Sequence, residues 1–267
     1  MLDSGGQQES AGAQLALTFD VDAESIWLGA SPGYEGRLST LSEARYGVGR
    51  GLERILALLE RHRATATFYV PGATAERHPD AVRRIVAGGH VIGHHGHDHL
   101  KSHTVSADVQ RQEIERGLDA LDALGVRPDG YRSPAWELTP ETLSLLGEAG
   151  FRWDSSLMED DRPYRLQGTT LIELPVHWTL DDWPWFGWTE DGGGNLADPA
   201  VVARVWEHEL RSAVHEQRLL TLTMHPEVIA RPHRLAALER IIEAAVDAGV
   251  PLVSHELAAR GVTGAPR

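Results

Sequence analysis

Short apolar runs alternate with amphipathic segments of helical period along most of the 267 residues. Short runs that stop at polar or turn-forming residues predict buried strands, and apolar positions three and four apart predict helices. The predicted strands are 15–19, 66–70, 90–92, 129–132, 150–153, 171–176, 219–224 and 250–253. The predicted helices are 47–62, 79–87, 106–124, 140–149, 199–216 and 234–248. This alternation is typical of a parallel sheet with helical crossovers.

The number of units favours a barrel over an open sheet. We expect an α/β fold with a single irregular (β/α) barrel that closes on seven or eight strands. In such barrels the chemistry lies at the carboxyl ends of the strands. Residues 1–14 are polar and rich in Gly, Ser and Gln, which predicts a disordered leader. Residues 15–267 contain no repeat or Pro/Gly-rich linker and are expected to form the one domain.

Two stretches interrupt the alternation. Residues 154–168 are predicted to be a polar loop, and residues 178–195 a long loop with four of the eight tryptophans. These aromatic rings could form a sugar-stacking platform, a lid over a small pocket or a subunit contact, and the pattern leaves the three open. Trp183 and Trp185 are the candidates for substrate contact.

The amino-acid composition limits the classes of binding partner that this protein could have. A net charge of −14 argues against nucleic acid and against an anionic membrane surface. No apolar stretch is long enough to span a membrane, and no secretion signal precedes residue 15, so a cytoplasmic protein is expected. The charge says little about a small-molecule or amino-sugar substrate or about assembly into a homo-oligomer, and the composition leaves both open. Without cysteine, a transition-metal site must use His, Asp and Glu.

Polar residues with metal-binding chemistry follow two of the predicted strands. Asp20 and Asp22 come directly after the first, and six of the fourteen histidines fall between residues 90 and 103, after the third. His95 and His99 are four apart and would share a face if the segment turned helically, whereas His94 and His97 form a competing pair three apart. Two histidines hold a catalytic metal only with further ligands, so the sequence predicts that carboxylates from another strand join them.

Five short motifs, each after a predicted strand, occur in the order seen in the polysaccharide deacetylase family (carbohydrate esterase family 4). The motifs are Thr18-Phe19-Asp20-Val21-Asp22, His95-Gly96-His97-Asp98-His99, Arg132-Ser133-Pro134, Trp153-Asp154-Ser155-Ser156 and Leu222-Thr223-Met224-His225. The chain resembles this family over residues 15–257. The resemblance implies one divalent metal held by Asp22, His95 and His99. Zn²⁺ is the default ion, with Co²⁺, Ni²⁺ or Mn²⁺ as alternatives.

The resemblance also implies roles for further residues. Asp20 would be the base, Arg132 would orient Asp20, and His225 would be the general acid, with Asp154 lining the site near His225. A backbone N–H after Pro134, that of Ala135, is the expected oxyanion donor, together with the metal.

Departures from the usual motifs indicate an atypical branch of the family. Val21 separates two acids that are usually adjacent, and Gly96 stands where Ser or Thr is usual. That branch includes peptidoglycan-deacetylase-like proteins, cyclic imide hydrolases and allantoinases. The resemblance therefore implies a metal-dependent hydrolase of carbon–nitrogen bonds. N-deacetylation of an amino sugar or N-acyl compound is the leading expectation. Opening of a cyclic imide or ureide ring is the alternative, and a non-catalytic metal-binding barrel is the second alternative.

Overall fold

A computed structural model describes residues 12–262. The main sheet of this part of the chain has nine strands, eight of them parallel, and a separate hairpin has two. The strands are β1 (Gln14–Asp20), β2 (Thr67–Val70), β3 (Val91–His94), β4 (Gly130–Tyr131), β5 (Trp153–Asp154), β6 (Tyr164–Arg165), β7 (Ile172–Glu173), β8 (Trp188–Thr189), β9 (Gly193–Gly194), β10 (Leu219–Met224) and β11 (Leu252–Val253).

Helices surround the sheet. They are α1 (Ser25–Leu28), α2 (Leu38–Tyr46), α3 (Leu52–His62), α4 (Gly72–Arg77), α5 (Pro79–Ala87), α6 (Ala107–Asp122), α7 (Pro140–Ala149), α8 (Trp183–Phe186), α9 (Pro199–Glu216), α10 (Pro226–Ile229), α11 (Pro232–Asp247) and α12 (His255–Arg260). A π-helical segment, Gly47–Gly51, joins α2 to α3. The 3-10 turns are Pro32–Tyr34, Ser102–Thr104, Pro134–Trp136 and Trp178–Leu180. None of the helices within residues 12–262 is long and apolar enough to cross a membrane.

The sheet runs in the order β10-β1-β2-β3-β4-β5-β7-β6, and β11 pairs with the beginning of β1. Strands β1 and β10 have the longest register, from Gln14 opposite Leu219 to Phe19 opposite Met224. Between the two ends of the sheet, Asp181 makes an isolated parallel bridge to Thr223 of β10. The sheet is curled into a half-barrel, and no strand pairing joins β10 to the β7–β6 edge within residues 12–262.

Buried apolar side chains fix this curl. The residues of β1 from Leu15 onward are buried on both faces, as expected for a parallel strand covered by helices. Phe19 stacks on Phe68 of β2 with ring centroids 4.8 Å apart. Helix α3 packs Ile55, Leu58 and Leu59 into the same cluster, three and four residues apart on one face. Each such side chain contributes roughly 1.5–3 kcal/mol by burial, so the ends of β1 and β2 are held rigidly.

The predicted irregular (β/α) barrel is confirmed, although the ring of hydrogen bonds is incomplete. Eight parallel strands agree with the predicted number, and the ninth, β6, is antiparallel to β7 and lies in the predicted 154–168 loop. Residues 178–195 also differ from the predicted loop, because they contain a 3-10 turn, α8 and the β8–β9 hairpin. These elements have only two to four residues each, too few to show a periodic pattern. The first strand begins at Gln14, and residues 1–11 of the predicted leader lie outside the described residues.

Candidate active site

The carboxyl ends of four strands bring the polar motifs together. Asp20 is the last residue of β1, the histidine segment begins at the last residue of β3, Arg132 follows β4 and His225 follows β10. Because β10, β1, β2, β3 and β4 are successive neighbours in a curled parallel sheet, these ends converge on one rim. The prediction that the site lies at the carboxyl ends is matched by this placement.

The histidine segment is a strained turn rather than a helix. Gly96 has φ +70°, a conformation that Gly adopts without steric cost, and His99 has φ +59°. The carboxylate of Glu113, on α6, accepts hydrogen bonds from the backbone N–H groups of His97 at 3.1 Å and Asp98 at 2.9 Å. His95 and His99 therefore converge through a turn anchored by Glu113, and their rings meet edge to face with centroids 5.1 Å apart.

Asp22, His95 and His99 form a compact set of metal-ligating atoms. One ligand atom from each lies within 4.8 Å of the others. His95 Nε2 is 3.5 Å from Asp22 Oδ1, and His99 Nε2 is 3.4 Å from Asp22 Oδ2. Asp22 is only 1% exposed, and neither of its carboxylate oxygens has a hydrogen-bond partner within residues 12–262. A buried carboxylate without donors is costly unless a cation balances it, so this set fits a divalent metal.

Hydrogen bonding assigns the ring nitrogen of His95 that faces Asp22. His95 Nδ1 lies 2.7 Å from the carbonyl oxygen of Arg132, which can only accept, so Nδ1 carries the proton. In the neutral ring Nε2 then has a free lone pair directed at Asp22, as a metal ligand requires. Burial lowers the pKa of His95, which favours this neutral form. Burial alone would raise the pKa of Asp22, but the neighbouring His99 holds this pKa well below its ordinary value.

Asp20, which is not one of the three proposed metal ligands, is held in place by Arg132. Arg132 is fully buried, and its Nη1 donates to Asp20 Oδ1 at 2.7 Å and to Thr18 Oγ1 at 2.9 Å. The guanidinium also lies 4.2 Å above the ring of Tyr69 and donates to Ser155. Asp20 Oδ2 remains on the cavity side, 3.8 Å from His95 Nε2. Asp20 and Asp22 are thus separate carboxylates with different partners.

His225 is oriented by a buried carboxylate. Its Nδ1–H donates to Asp182 Oδ1 at 2.7 Å, and its backbone N–H donates to Asp182 Oδ2 at 3.0 Å. His225 Nε2 points toward the ligand set, 3.8 Å from Asp22 Oδ2. Although burial opposes its positive charge, the carboxylates of Asp182 and Asp181 raise the pKa of His225 well above its ordinary value. The ring can therefore hold a proton on Nε2 at neutral pH.

A cavity of about 510 Å³ opens onto these groups. Trp136 and Trp178 form one wall, with ring centroids 4.4 Å apart, and Trp178 is 45% exposed. Trp183 lies over His225 on another side, at a centroid distance of 5.3 Å. At Gly29, also in the lining, a Cβ would collide with the carbonyl oxygen of Asp98, so this segment packs directly on the histidine turn. The volume is that of a typical small-ligand pocket.

Two consecutive non-glycine residues at the cavity have a left-handed backbone. Ala135 has φ +55° and Trp136 has φ +59°. Such conformations cost about 1–3 kcal/mol each and persist where surrounding structure imposes them. The strain brings the backbone of Ala135 and the ring of Trp136 into the cavity lining.

A polysaccharide deacetylase family model matches residues 8–153, more than half of the chain. The chain belongs to the polysaccharide deacetylase family. It is 28% identical to a peptidoglycan deacetylase of Helicobacter pylori over 260 residues, which cover 86% of this chain and 88% of that protein. As a member of this family, the protein is an enzyme, a hydrolase of the deacetylase type.

Solved structures of similar proteins have the same fold. A Mycobacterium smegmatis protein described as a polysaccharide deacetylase is 38% identical, with a TM-score of 0.93 over 98% of this chain and 95% of that one. An allantoinase has a TM-score of 0.80 at 24% identity and covers 95% of this chain and 91% of its own, which supports the fold alone.

Most of the candidate residues of this polysaccharide deacetylase lie together, and two do not. Asp20, Asp22, His95, His99, Ala135, Trp183 and His225 line the cavity, with Arg132 buried behind Asp20. Asp154 was expected beside His225, but it is fully buried away from the cavity lining and accepts from Ser156 at 2.9 Å. Trp185 is also outside the lining, since its Nε1 donates to the carbonyl oxygen of Thr179. The competing histidines, His94 and His97, are also outside the cavity lining. His94 Nε2 hydrogen-bonds to the carbonyl oxygen of Ile114, and burial lowers the pKa of His94 to about 3.

Two acidic residues of the site were not predicted from the sequence. Asp182 orients His225, and Asp181 lines the cavity with its Oδ1 accepting from the backbone N–H of Trp183 at 2.7 Å. Burial raises the pKa of Asp181 to about 7. The sequence does place these two acids side by side, directly before Trp183-Pro184. They were missed because only the tryptophans of this stretch were considered as site residues. A general-acid histidine needs an orienting acceptor, so a search for one would have pointed here.

The Asp154–Glu173 pair should make stability depend on pH. Asp154 Oδ2 and Glu173 Oε2 are buried with no donor among residues 12–262, and Glu173 Oε1 accepts from the backbone N–H groups of Ser156 and Leu157, both at 2.9 Å. Burial raises the pKa of Asp154 to about 6 and that of Glu173 well above its ordinary value. Carboxyl groups with raised pKa keep protons that the unfolded chain releases, so this pair stabilises the fold less as the pH rises through about 4 to 6.

We expect Glu173→Gln to relieve this loss, because its amide can donate to Asp154 while its oxygen keeps both backbone hydrogen bonds. Urea unfolding should show that the variant gains roughly 1–3 kcal/mol over wild type at pH 8 and little at pH 4.5. Glu173→Ala is the control and should be destabilised at both pH values, since two backbone donors lose their acceptor. A difference in unfolding free energy between Glu173→Gln and wild type that does not change with pH would contradict the raised pKa values of this pair.

Proposed function

We propose that this protein is a metal-dependent N-deacetylase of an amino sugar or related N-acyl compound. The observation that carries the proposal is the buried carboxylate of Asp22, which has no donor within residues 12–262 and faces Nε2 of His95 and of His99. Asp22, His95 and His99 would hold one divalent ion. When bound, the ion would supply positive charge that stabilises an oxyanion and acidifies water, and zinc is the default.

Asp20 is proposed as the general base. Its Oδ1 is fixed by Arg132, and its Oδ2 lies at the cavity near His95 Nε2. In this position Oδ2 can take a proton from a water molecule as the water oxygen attacks the amide carbonyl carbon. Arg132 would act as a positioning residue, because its contacts to Thr18 and Ser155 hold the carboxylate in one orientation.

His225 is proposed as the general acid. Breakdown of the tetrahedral intermediate breaks the C–N bond, and the amine nitrogen must receive a proton to leave. His225 Nε2–H can donate that proton, while Nδ1–H stays bonded to Asp182. The products are a carboxylic acid and an amine, and the cycle closes when the proton that Asp20 took from water is passed on to reprotonate Nε2 of His225. We assign the backbone N–H of Ala135, at the cavity wall, as the oxyanion donor.

Ring opening of a cyclic imide or ureide is the second candidate function. It is favoured by the size of the cavity, about 510 Å³, and by the Trp136–Trp178 wall, which suits a small ring as well as a sugar. The test is a side-by-side assay of zinc-loaded protein for acetate release from N-acetylglucosamine oligomers and for opening of succinimide, hydantoin and allantoin. Acetate release without ring opening supports the proposal, and the reverse pattern supports the second candidate. Zinc binding without either reaction would indicate a barrel that has lost catalysis.

Replacement of His225 should affect amides more than activated esters. His225→Asn keeps a donor for Asp182 but removes the acidic Nε2–H. We expect acetate release from N-acetylglucosamine oligomers to fall by about 10²–10⁴-fold, whereas 4-nitrophenyl acetate, whose leaving group needs no proton, should lose far less. Kinetics on both substrates with one preparation provide the comparison. Equal losses on the two substrates would contradict the general-acid role.

A further inference from the structure

The cavity is lined by the only lysine of the sequence. The other 24 basic side chains counted as Lys or Arg are arginines, in a chain of net charge −14. Lys101 is exposed and lies in the cavity lining together with Asp20, Asp22 and the two proposed ligand histidines. The reaction proposed above does not use this ammonium group.

The backbone on both sides of Lys101 is fixed. The carbonyl oxygen of Lys101 accepts from the backbone N–H of Thr104 at 2.9 Å and from its hydroxyl at 2.8 Å. Ser102 is buried, and its carbonyl oxygen accepts from Gln110 Nε2 at 3.0 Å. His99, two residues earlier, is fixed by the turn described above. A fixed turn therefore presents the exposed four-carbon side chain of Lys101 in the cavity lining.

The ammonium group has no ion-pair partner within residues 12–262, although acidic residues outnumber basic ones. The acidic groups of the cavity already have other partners. Asp20 is paired with Arg132, Asp181 accepts from Trp183, and Asp22 faces the histidines. A lysine that served only to balance the charge of the site would be expected to pair with one of these carboxylates. Lys101 is instead an available cation beside the reaction centre.

We propose that Lys101 binds a carboxylate carried by the substrate, so that the preferred substrate is an acidic N-acyl amino sugar rather than a neutral one. This inference rests on the proposed function and adds the substrate class. A charge-assisted hydrogen bond at a half-open cavity should raise kcat/KM for the acidic substrate by about 10- to 100-fold. The gain should appear mainly in KM and should shrink as salt is added, because the contact is made in ground and transition states alike and is partly screened.

The kinetic test compares N-acetylmuramic acid with its methyl ester, which differs by the loss of one negative charge. We expect wild type to prefer the acid and Lys101→Met to lose the preference, while Lys101→Arg retains part of it. Arg127→Met is the matched control, because Arg127 is exposed, has no ion-pair partner within residues 12–262 and is outside the cavity lining. It changes the net charge by the same amount and should keep the wild-type ratio. Equal kcat/KM for acid and ester in wild type would overturn the inference.

Chemical labelling provides a test that needs no turnover. Since the sequence has one lysine, acetylation by sulfosuccinimidyl acetate modifies a single ε-amine, which peptide mass spectrometry separates from the α-amine. In the zinc-loaded Asp20→Asn variant, which should bind substrate without turning it over, N-acetylmuramic acid should protect Lys101 from acetylation, and N-acetylglucosamine at the same concentration should not. Equal labelling in the two amino sugars would overturn carboxylate binding even if deacetylation is observed. Protection by N-acetylmuramic acid, with no acetate release by the wild-type protein from either N-acetyl substrate, would leave carboxylate binding standing and reject the proposed deacetylation.

Discussion

Asp22→Asn should abolish metal binding and, with it, turnover. The substitution keeps the size of the side chain but removes the charge that balances a divalent ion between His95 and His99. We expect the purified variant to contain far less than one zinc per chain. Because the charge stabilisation that a metal supplies is worth several kcal/mol, acetate release should fall by about 10³-fold or more. Elemental analysis and the acetate assay measure the two effects on one sample.

Asp98→Asn is the matched control for this prediction. Asp98 lies in the same histidine turn, but its carboxylate pairs with Arg116 at 2.8 Å and is outside the ligand set. The control should keep its zinc and most of its activity. If Asp22→Asn bound a full equivalent of zinc, the assignment of Asp22 as a ligand would be rejected.

Asp20→Asn should separate catalysis from metal binding. The amide oxygen of Asn can still accept from Arg132, so the fold of the site should persist, but the side chain can no longer take a proton from water. We expect kcat to fall by about 10²–10⁴-fold while zinc content stays near that of wild type. Zinc content and single-turnover acetate release, measured together, separate the two roles. A loss of zinc equal to that of Asp22→Asn would exchange the roles proposed for the two carboxylates.

The sequence predicted the barrel and much of the site because both depend on short-range patterns. Alternating apolar runs and amphipathic segments are local features, and parallel strands place their carboxyl ends on one rim. Asp20 ends β1, Asp22 lies two residues further on, and His95 and His225 directly follow β3 and β10. The topology alone therefore brings them together. The resemblance to a known family supplied the order of the motifs and the proposed roles.

Other parts of the site depend on contacts between residues far apart in sequence. Asp182 reaches His225 across 43 positions, and no periodicity links a loop acid to that histidine. The predicted place of Asp154 was wrong because its carboxyl group lies in a buried cluster with Ser156 and Glu173 instead of in the cavity lining. The two-residue strand β6 lies within a polar segment, so only its pairing with β7 reveals it.

The structure brings His95 and His99 together as the sequence predicted, but by a different backbone geometry. His95 and His99 were paired on the premise of a helical turn, but positive φ at Gly96 and His99 produces the convergence instead. The acceptor that holds this turn is Glu113, sixteen residues after His97. A buried acid on the next helix gives no local signal of such a role, since isolated glutamates are common on helices.

The account depends most directly on whether amide hydrolysis requires a divalent ion at Asp22, His95 and His99. The decisive measurement is a zinc titration of chelator-treated protein, with acetate release from N-acetylglucosamine oligomers and from N-acetylmuramic acid recorded at each addition. We predict that the chelated protein is inactive, that activity on at least one of the two substrates rises linearly with zinc and stops rising at one equivalent, and that Asp22→Asn shows no such rise. Full acetate release by the metal-free protein, or the same titration curve for Asp22→Asn as for wild type, would contradict the claim that hydrolysis requires a divalent ion at these three residues.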